Sequence, residues 1–243
     1  MSAQEGTLPL SVGMLLFPDL TQLDLTGPYE VFARMPHTHV HLLAATLTPI
    51  RSERGLIIMP DTTFDQVPDL DLLFVPGGVG INAMMEDKLF LRFLHEQGHK
   101  ARYVTAVCTG SLLLGAAGLL QGYRATTHWL SLDLLRLFGA EPVEERVVID
   151  RNRITGGGIT AGIDFGLTVA ATIHGPAVAQ EIQLMMEYNP QPPFPSGSPQ
   201  TASTALVERI RTSRQQVQDI RRELAQRAIT DLVTTDSYTS ANT

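Results

Sequence analysis

Two short, mainly apolar runs, each stopped by a glycine turn, constrain this chain more than any other feature. Residues 70–75 end in Pro76-Gly77-Gly78, and residues 103–107 run straight into Cys108-Thr109-Gly110. A strand that is apolar throughout, rather than alternating, suits a parallel sheet buried on both faces. Around these runs, strand-like segments alternate with helical spacings. Strands are expected at 10–16, 40–45 and 124–127, a hairpin at 147–154, and shorter extended pieces at 49–52 and 56–60. Helices are expected at 23–33, 89–99, 111–117, 129–138 and 161–174. The alternation predicts an α/β fold with a mostly parallel central sheet and helices on both faces. Ligands of such sheets bind outside the carboxyl ends of the strands, where both glycine turns fall.

The 243 residues suffice for one large domain with a substantial core. Residues 8–190 read as that domain, 191–204 as a Pro/Gly/Ser-rich loop and 205–231 as a C-terminal helix on the core or a dimer partner. Residues 232–243 read as a disordered tail. The C-terminal helix carries Arg209, Arg211, Arg214, Arg221, Arg222 and Arg227, diluted by Glu208, Asp219 and Glu223, and reads as a solvated amphipathic helix. The formal net charge of −7 argues against nucleic acid as a partner. The longest apolar stretch, 112–120, is about half the ~20 residues needed to cross a bilayer, and no secretory signal is visible, so no membrane association is expected. One cysteine cannot form an internal disulfide, and a cytoplasmic location is expected.

That cysteine, Cys108, sits where a strand turns into a helix. A helix N-terminus offers unpaired N–H groups and about half a positive charge, which favour a thiolate. Lowering the thiol pKa from ~8.5 by about 2 units would favour the thiolate by roughly 2.7 kcal/mol. Position alone leaves two readings open, a nucleophile or a small buried hydrophobe. Asp24, between Leu23 and Leu25, reads either as a proton-handling partner or as a helix N-cap or first-turn acid. His128 reads first as a satisfied core histidine. His37, His39, His41, His95 and His99 read as surface positions, His174 is isolated, and none shows metal-ligand spacing.

The Pro76-Gly77-Gly78 turn, the Val107-Cys108-Thr109-Gly110-Ser111 elbow and the segment Arg124-Ala125-Thr126-Thr127-His128-Trp129 resemble the DJ-1/PfpI superfamily over roughly residues 10–188. The segments at 21–30 and 154–162 resemble its isonitrile hydratase branch. This resemblance implies a flavodoxin-like sandwich with the cysteine at a nucleophile elbow. It maps the nucleophile onto Cys108, the acid/base onto Asp24, and the anion-binding turn onto Gly77, Gly78 and Thr109. It marks His128, Gly157 and Ile159 as possible pocket residues. The implied reaction is hydration of an isonitrile to an N-substituted formamide through a covalent thioimidate, with no cofactor and no metal. It also implies a homodimer. Thr109 stands where the protease-like branch carries histidine, which argues against proteolysis. Rival readings are another superfamily activity, glyoxalase-like or stress-protective, and the sensor domain of an AraC-type regulator.

Overall fold

The structure is a computed structural model and describes residues 9–240, with side chains through residue 230. The chain begins β1 (Leu10–Leu15), α1 (Gln22–Phe32), β2 (Thr38–Ala44), β3 (Ile50–Arg51), β4 (Ile57–Ile58), β5 (Thr62–Thr63) and β6 (Leu72–Val75). It continues through α2 (Ile81–Met84), α3 (Lys88–Lys100), β7 (Tyr103–Val107), α4 (Gly110–Ala116), β8 (Arg124–Ala125) and a 3-10 helix (Trp129–Phe138). The remainder holds β9 (Glu141–Pro142), β10 (Val147–Asp150), β11 (Arg153–Gly156), α5 (Ala161–His174), α6 (Pro176–Met185) and α7 (Thr204–Ser240).

Seven strands form one sheet in the order β10-β11-β7-β6-β1-β2-β5. All its pairings are parallel except β10 with β11. β6 and β11 are buried at every residue and β7 at all but its first, as strands between two helical layers are. On one side α1, α5 and α6 pack together; Phe32, Phe74 and Phe165 meet edge-on or tilted, with centroids 5.7–6.3 Å apart. On the other, α4 is buried all round, so it needs a cover of its own. That cover is α2, α3, the 3-10 helix and α7.

Register positions the site. Val75 lies opposite Ala106, and Val107 opposite Gly156. Carrying the register two steps past Val75–Ala106 and one past Val107–Gly156 brings Gly77, Cys108 and Gly157 level across three adjacent strands.

Several elements differ from the sequence expectation. The segment at 129–138 is 3-10 rather than α-helical, started by His128, whose Nδ1 accepts from the Leu130 amide at 3.3 Å. The strand expected at 124–127 pairs only at Arg124–Ala125, because the Thr126 amide donates to the Thr155 hydroxyl (2.9 Å) and not to a strand. β5, β9 and α6 were not anticipated. α7 runs to Ser240, past residue 231, since nothing from 204 onward in the helix is glycine or proline. Residues 1–8 and 241–243, including the end of the expected tail, lie outside the described residues. Among the described residues no helix is long and apolar enough to cross a membrane.

Candidate active site

Four loops at the carboxyl ends of β1, β6, β7 and β11 converge on Cys108. The cysteine adopts φ +53°, left-handed backbone that costs a non-glycine residue about 1–3 kcal/mol. Three hydrogen bonds hold it there. Its N–H donates to the carbonyls of Gly156 and Gly157, both at 3.0 Å, and its carbonyl accepts from the Thr127 hydroxyl at 2.6 Å. The strained turn is thus clamped from β11 and from the stretch after β8. Gly77 lets the β6 loop close on it: a Cβ there would stand 2.6 Å from the Thr109 amide nitrogen and 2.8 Å from the Cys108 Cβ.

Asp24 enters from the first turn of α1. Thr21 is the N-cap, yet its hydroxyl is turned away, donating to Glu53 at 2.9 Å, and its amide donates to the Gly77 carbonyl at 2.9 Å. Asp24 is therefore a first-turn acid rather than a cap. It is fully buried, and neither carboxyl oxygen has a partner at hydrogen-bonding geometry. Burial pushes its pKa up to about 7; the nearby Cys108 thiol and Gly77 amide pull the other way, and Glu53 adds to the rise. The carboxyl therefore keeps its proton well above the usual carboxylate range.

The thiol departs from the sequence expectation. Cys108 is only 4% exposed, and burial first, then the nearby Asp24 carboxyl, hold its pKa well above the ordinary thiol range. The Thr109 amide and hydroxyl favour the thiolate, but they do not overcome desolvation. The resting pair is a thiol beside a carboxyl that shares its proton with solvent near neutrality, and the two titrate as one system.

The predicted anion-binding turn is also modified. The Gly78 amide is already engaged, donating to Thr109 Oγ1 at 3.0 Å, while that hydroxyl faces the Gly78 carbonyl at 3.2 Å. Thr109 staples the two glycine turns together, and its own amide faces the sulfur. Gly157 reaches Cys108 through its carbonyl. Ile159 is 37% exposed. The His128 ring lies against Gly158, where a Cβ would strike it. Burial, then Arg221 and Arg214, lower its pKa to about 4, so it is a neutral imidazole.

Sequence reasoning missed Thr127 as the clamp on the Cys108 carbonyl, and it missed Arg221. That arginine is 4% exposed, not solvated. A signal was present: Arg221, Leu224, Ala225 and Ala228 are all buried and follow i, i+3, i+4, i+7 spacing.

Comparisons with known proteins agree with this geometry. The DJ-1/PfpI family model matches residues 10–172. The isonitrile hydratase of Pseudomonas putida is 53% identical over 225 residues, covering 93% of this chain and 99% of that protein. The HTH-type transcriptional regulator GbdR of Pseudomonas aeruginosa is 34% identical over 189 residues, 74% of this chain but 51% of the regulator. Among solved structures, a THiJ/PfpI family protein from Pseudomonas syringae has a TM-score of 0.88 and 44% identity, covering 89% of this chain and 90% of its own. A parallel sheet with a cysteine on a strained strand-to-helix turn, and a match across most of the chain, lead to one conclusion: this chain belongs to the DJ-1/PfpI family.

Proposed function

We propose that this chain hydrates isonitriles, R–N≡C, to N-substituted formamides. The observation that carries the reading is the buried, proton-holding Asp24 carboxyl beside the Cys108 thiol on its strained turn. The likeness to the Pseudomonas putida isonitrile hydratase, which extends over almost the whole of both chains, supports it.

The terminal carbon of an isonitrile can accept a proton and a nucleophile at the same atom. Protonated Asp24 delivers a proton to that carbon while the Cys108 sulfur bonds to it and passes its own proton to the carboxylate. The product is a thioimidate, Cys108–S–CH=N–R, with Asp24 again protonated. Water then adds: its oxygen bonds to the same carbon, Asp24 protonates the nitrogen, and the water proton returns to Asp24. Cleavage of the C–S bond, with the hydroxyl proton relayed to sulfur, releases R–NH–CHO and restores the thiol. The sum is R–NC plus H2O. A thiol with a raised pKa suits this scheme, because attack and proton transfer are coupled and no standing thiolate is needed. Thr109 orients substrate and water, and its hydroxyl keeps the two glycine turns at a fixed spacing.

Two further expectations belong to the same proposal. The protein works in the cytoplasm, and it forms a homodimer that covers the exposed apolar Leu184, Met185 and Phe194. Light scattering that returns one subunit mass would remove the second.

The test is formamide formation from a simple aryl or alkyl isonitrile by wild type, Cys108→Ala and Asp24→Asn. Turnover by wild type alone is expected, with the rate falling as pH rises past about 7, where Asp24 loses its proton. No turnover by folded wild type, or full activity in either variant, overturns the reading.

A further inference from the structure

α3 ends in a pattern that the proposed reaction does not use. His95-Glu96-Gln97-Gly98-His99 sets two histidines at i, i+4 on a helix, the H-E-x-x-H spacing in which both imidazoles can hold one zinc ion. The expectation that no histidine shows metal-ligand spacing is therefore corrected for this pair. Gly98 shapes the surroundings: a Cβ there would strike the Leu119 side chain, so glycine lets the end of α3 close on the loop after α4. Across that close approach the His95 Nδ1–H donates to the Ala117 carbonyl at 2.9 Å, and the His99 Nδ1–H donates to the His95 carbonyl at 2.8 Å. A carbonyl can only accept, so each Nδ1 carries the hydrogen and each Nε2 of the neutral ring carries the lone pair. Outer hydrogen bonds of this kind fix the tautomer and orientation of metal-ligating histidines. The two ring centroids lie 4.2 Å apart. A tetrahedral zinc ion with bonds of about 2.0–2.1 Å needs its two nitrogens roughly 3.3 Å apart, a separation that such rings span. The pair also sits at the C-terminal end of α3, where unpaired helix carbonyls favour a cation.

We propose that His95 and His99 form a chelating site for a borderline transition-metal dication, Zn2+ above all, bound through the two Nε2 atoms. Imidazole suits Zn2+, Ni2+ and Cu2+, whereas Mg2+ and Ca2+ take oxygen ligands. Among the described residues no third His, Cys, Asp or Glu completes the set, so water fills the remaining positions. The site is thus an open chelate and lacks the three protein ligands of catalytic zinc centres. Exposed Arg92 and Lys100 flank the pair, with exposed Glu96 between the two histidines, so the nearby side-chain charges do not by themselves recruit a cation. Selection comes from coordination by the two fixed imidazoles. Because His95 also holds Ala117, the C-cap of α4, a bound ion braces the contact between α3 and the helix that follows the cysteine elbow. The proposal does not rest on the isonitrile reading.

Its test is calorimetric titration of Zn2+ into the untagged full chain as wild type, His95→Ala, His99→Ala and His39→Ala/His41→Ala. The last variant removes the other close histidine pair, whose ring centroids are 4.4 Å apart on β2. One ion per chain is expected in wild type and in the His39/His41 variant. Binding at least about tenfold weaker is expected in His95→Ala and in His99→Ala, since losing a ligand costs no less than losing an outer partner. Both histidines are exposed, so these variants should keep the wild-type circular dichroism spectrum. Cu2+ gives a second readout in a Cys108→Ala background, where no thiol competes. Its electron paramagnetic resonance spectrum should show two imidazole nitrogens on the ion, and one or none after either substitution on α3. No saturable Zn2+ binding by folded wild type overturns the proposal. So does binding that keeps its wild-type strength in either α3 variant, or that is lost only with His39 and His41. None of these readouts involves an isonitrile, so they stand apart from the fate of the hydratase reading.

Discussion

Replacing Asp24 by Asn should stabilise the protein at alkaline pH while removing its activity. The carboxyl is fully buried, and its pKa is raised from 3.8 to about 7, chiefly by desolvation. The folded state therefore binds the proton more tightly than the unfolded one. Between pH 3.8 and about 7 folding takes up a proton, so stability falls as pH rises through that window. Below it both states are protonated and the group contributes nothing; above it the full penalty applies. A rise of about 3 units corresponds to roughly 4 kcal/mol, of which about 1.6 has developed by pH 5 and about 2.7 follows by pH 8. Asparagine keeps the shape and cannot ionise, so the gap between Asn and Asp should widen by 2–3 kcal/mol, on the order of half a small domain's stability, from pH 5 to pH 8.

The comparison belongs in a Cys108→Ala background, so that ionisation of the unfolded thiol does not intrude. Loss of the thiol there removes a group that lowers the Asp24 pKa, so the effect should not shrink. Urea denaturation of Cys108→Ala and Cys108→Ala/Asp24→Asn at fixed protein concentration, at pH 5, 6, 7 and 8, reads the difference. All other titrating groups are common to both chains and cancel. A gap that stays constant with pH, or one that widens in favour of Asp24, would show a carboxylate already ionised in the fold. The general-acid role would then be withdrawn.

Two further outcomes follow from the clamp on the cysteine turn. Thr127→Val removes the hydroxyl that serves the Cys108 carbonyl, leaving a buried acceptor unpaired; a loss of about 1–3 kcal/mol by urea denaturation is expected, with a lower turnover rate. Gly77→Ala forces a methyl against the Thr109 amide and the Cys108 Cβ, and should destabilise by about 1–3 kcal/mol and slow alkylation of Cys108, as measured by denaturation and by iodoacetamide kinetics.

Much of the site was legible because it is encoded locally. Apolar runs ended by glycine predict buried parallel strands, and the register of such strands aligns their carboxyl ends. Cys108, Thr109 and the Gly77-Gly78 turn were therefore placed at one edge before any contact was known. Asp24 was conspicuous because a carboxylate between two leucines has no local reason to be there. The 3-10 geometry at Trp129–Phe138 was less legible, since its apolar spacing also fits an α-helix.

What the sequence alone determined was the period of each element, the turns that end it and the residue types available for chemistry. Tertiary structure decided which of those residues lose water. The Cys108 thiol was expected to be acidified by a helix end, but burial and the neighbouring Asp24 raise it instead. Arg221 looked like one of six solvated arginines, but contacts with Asn82 and Ser131, 139 and 90 residues away in sequence, make it a buried cation. Propensity and spacing act over a few residues. Desolvation and charge coupling depend on neighbours that only the folded chain brings together, and in this site they decide where the protons reside.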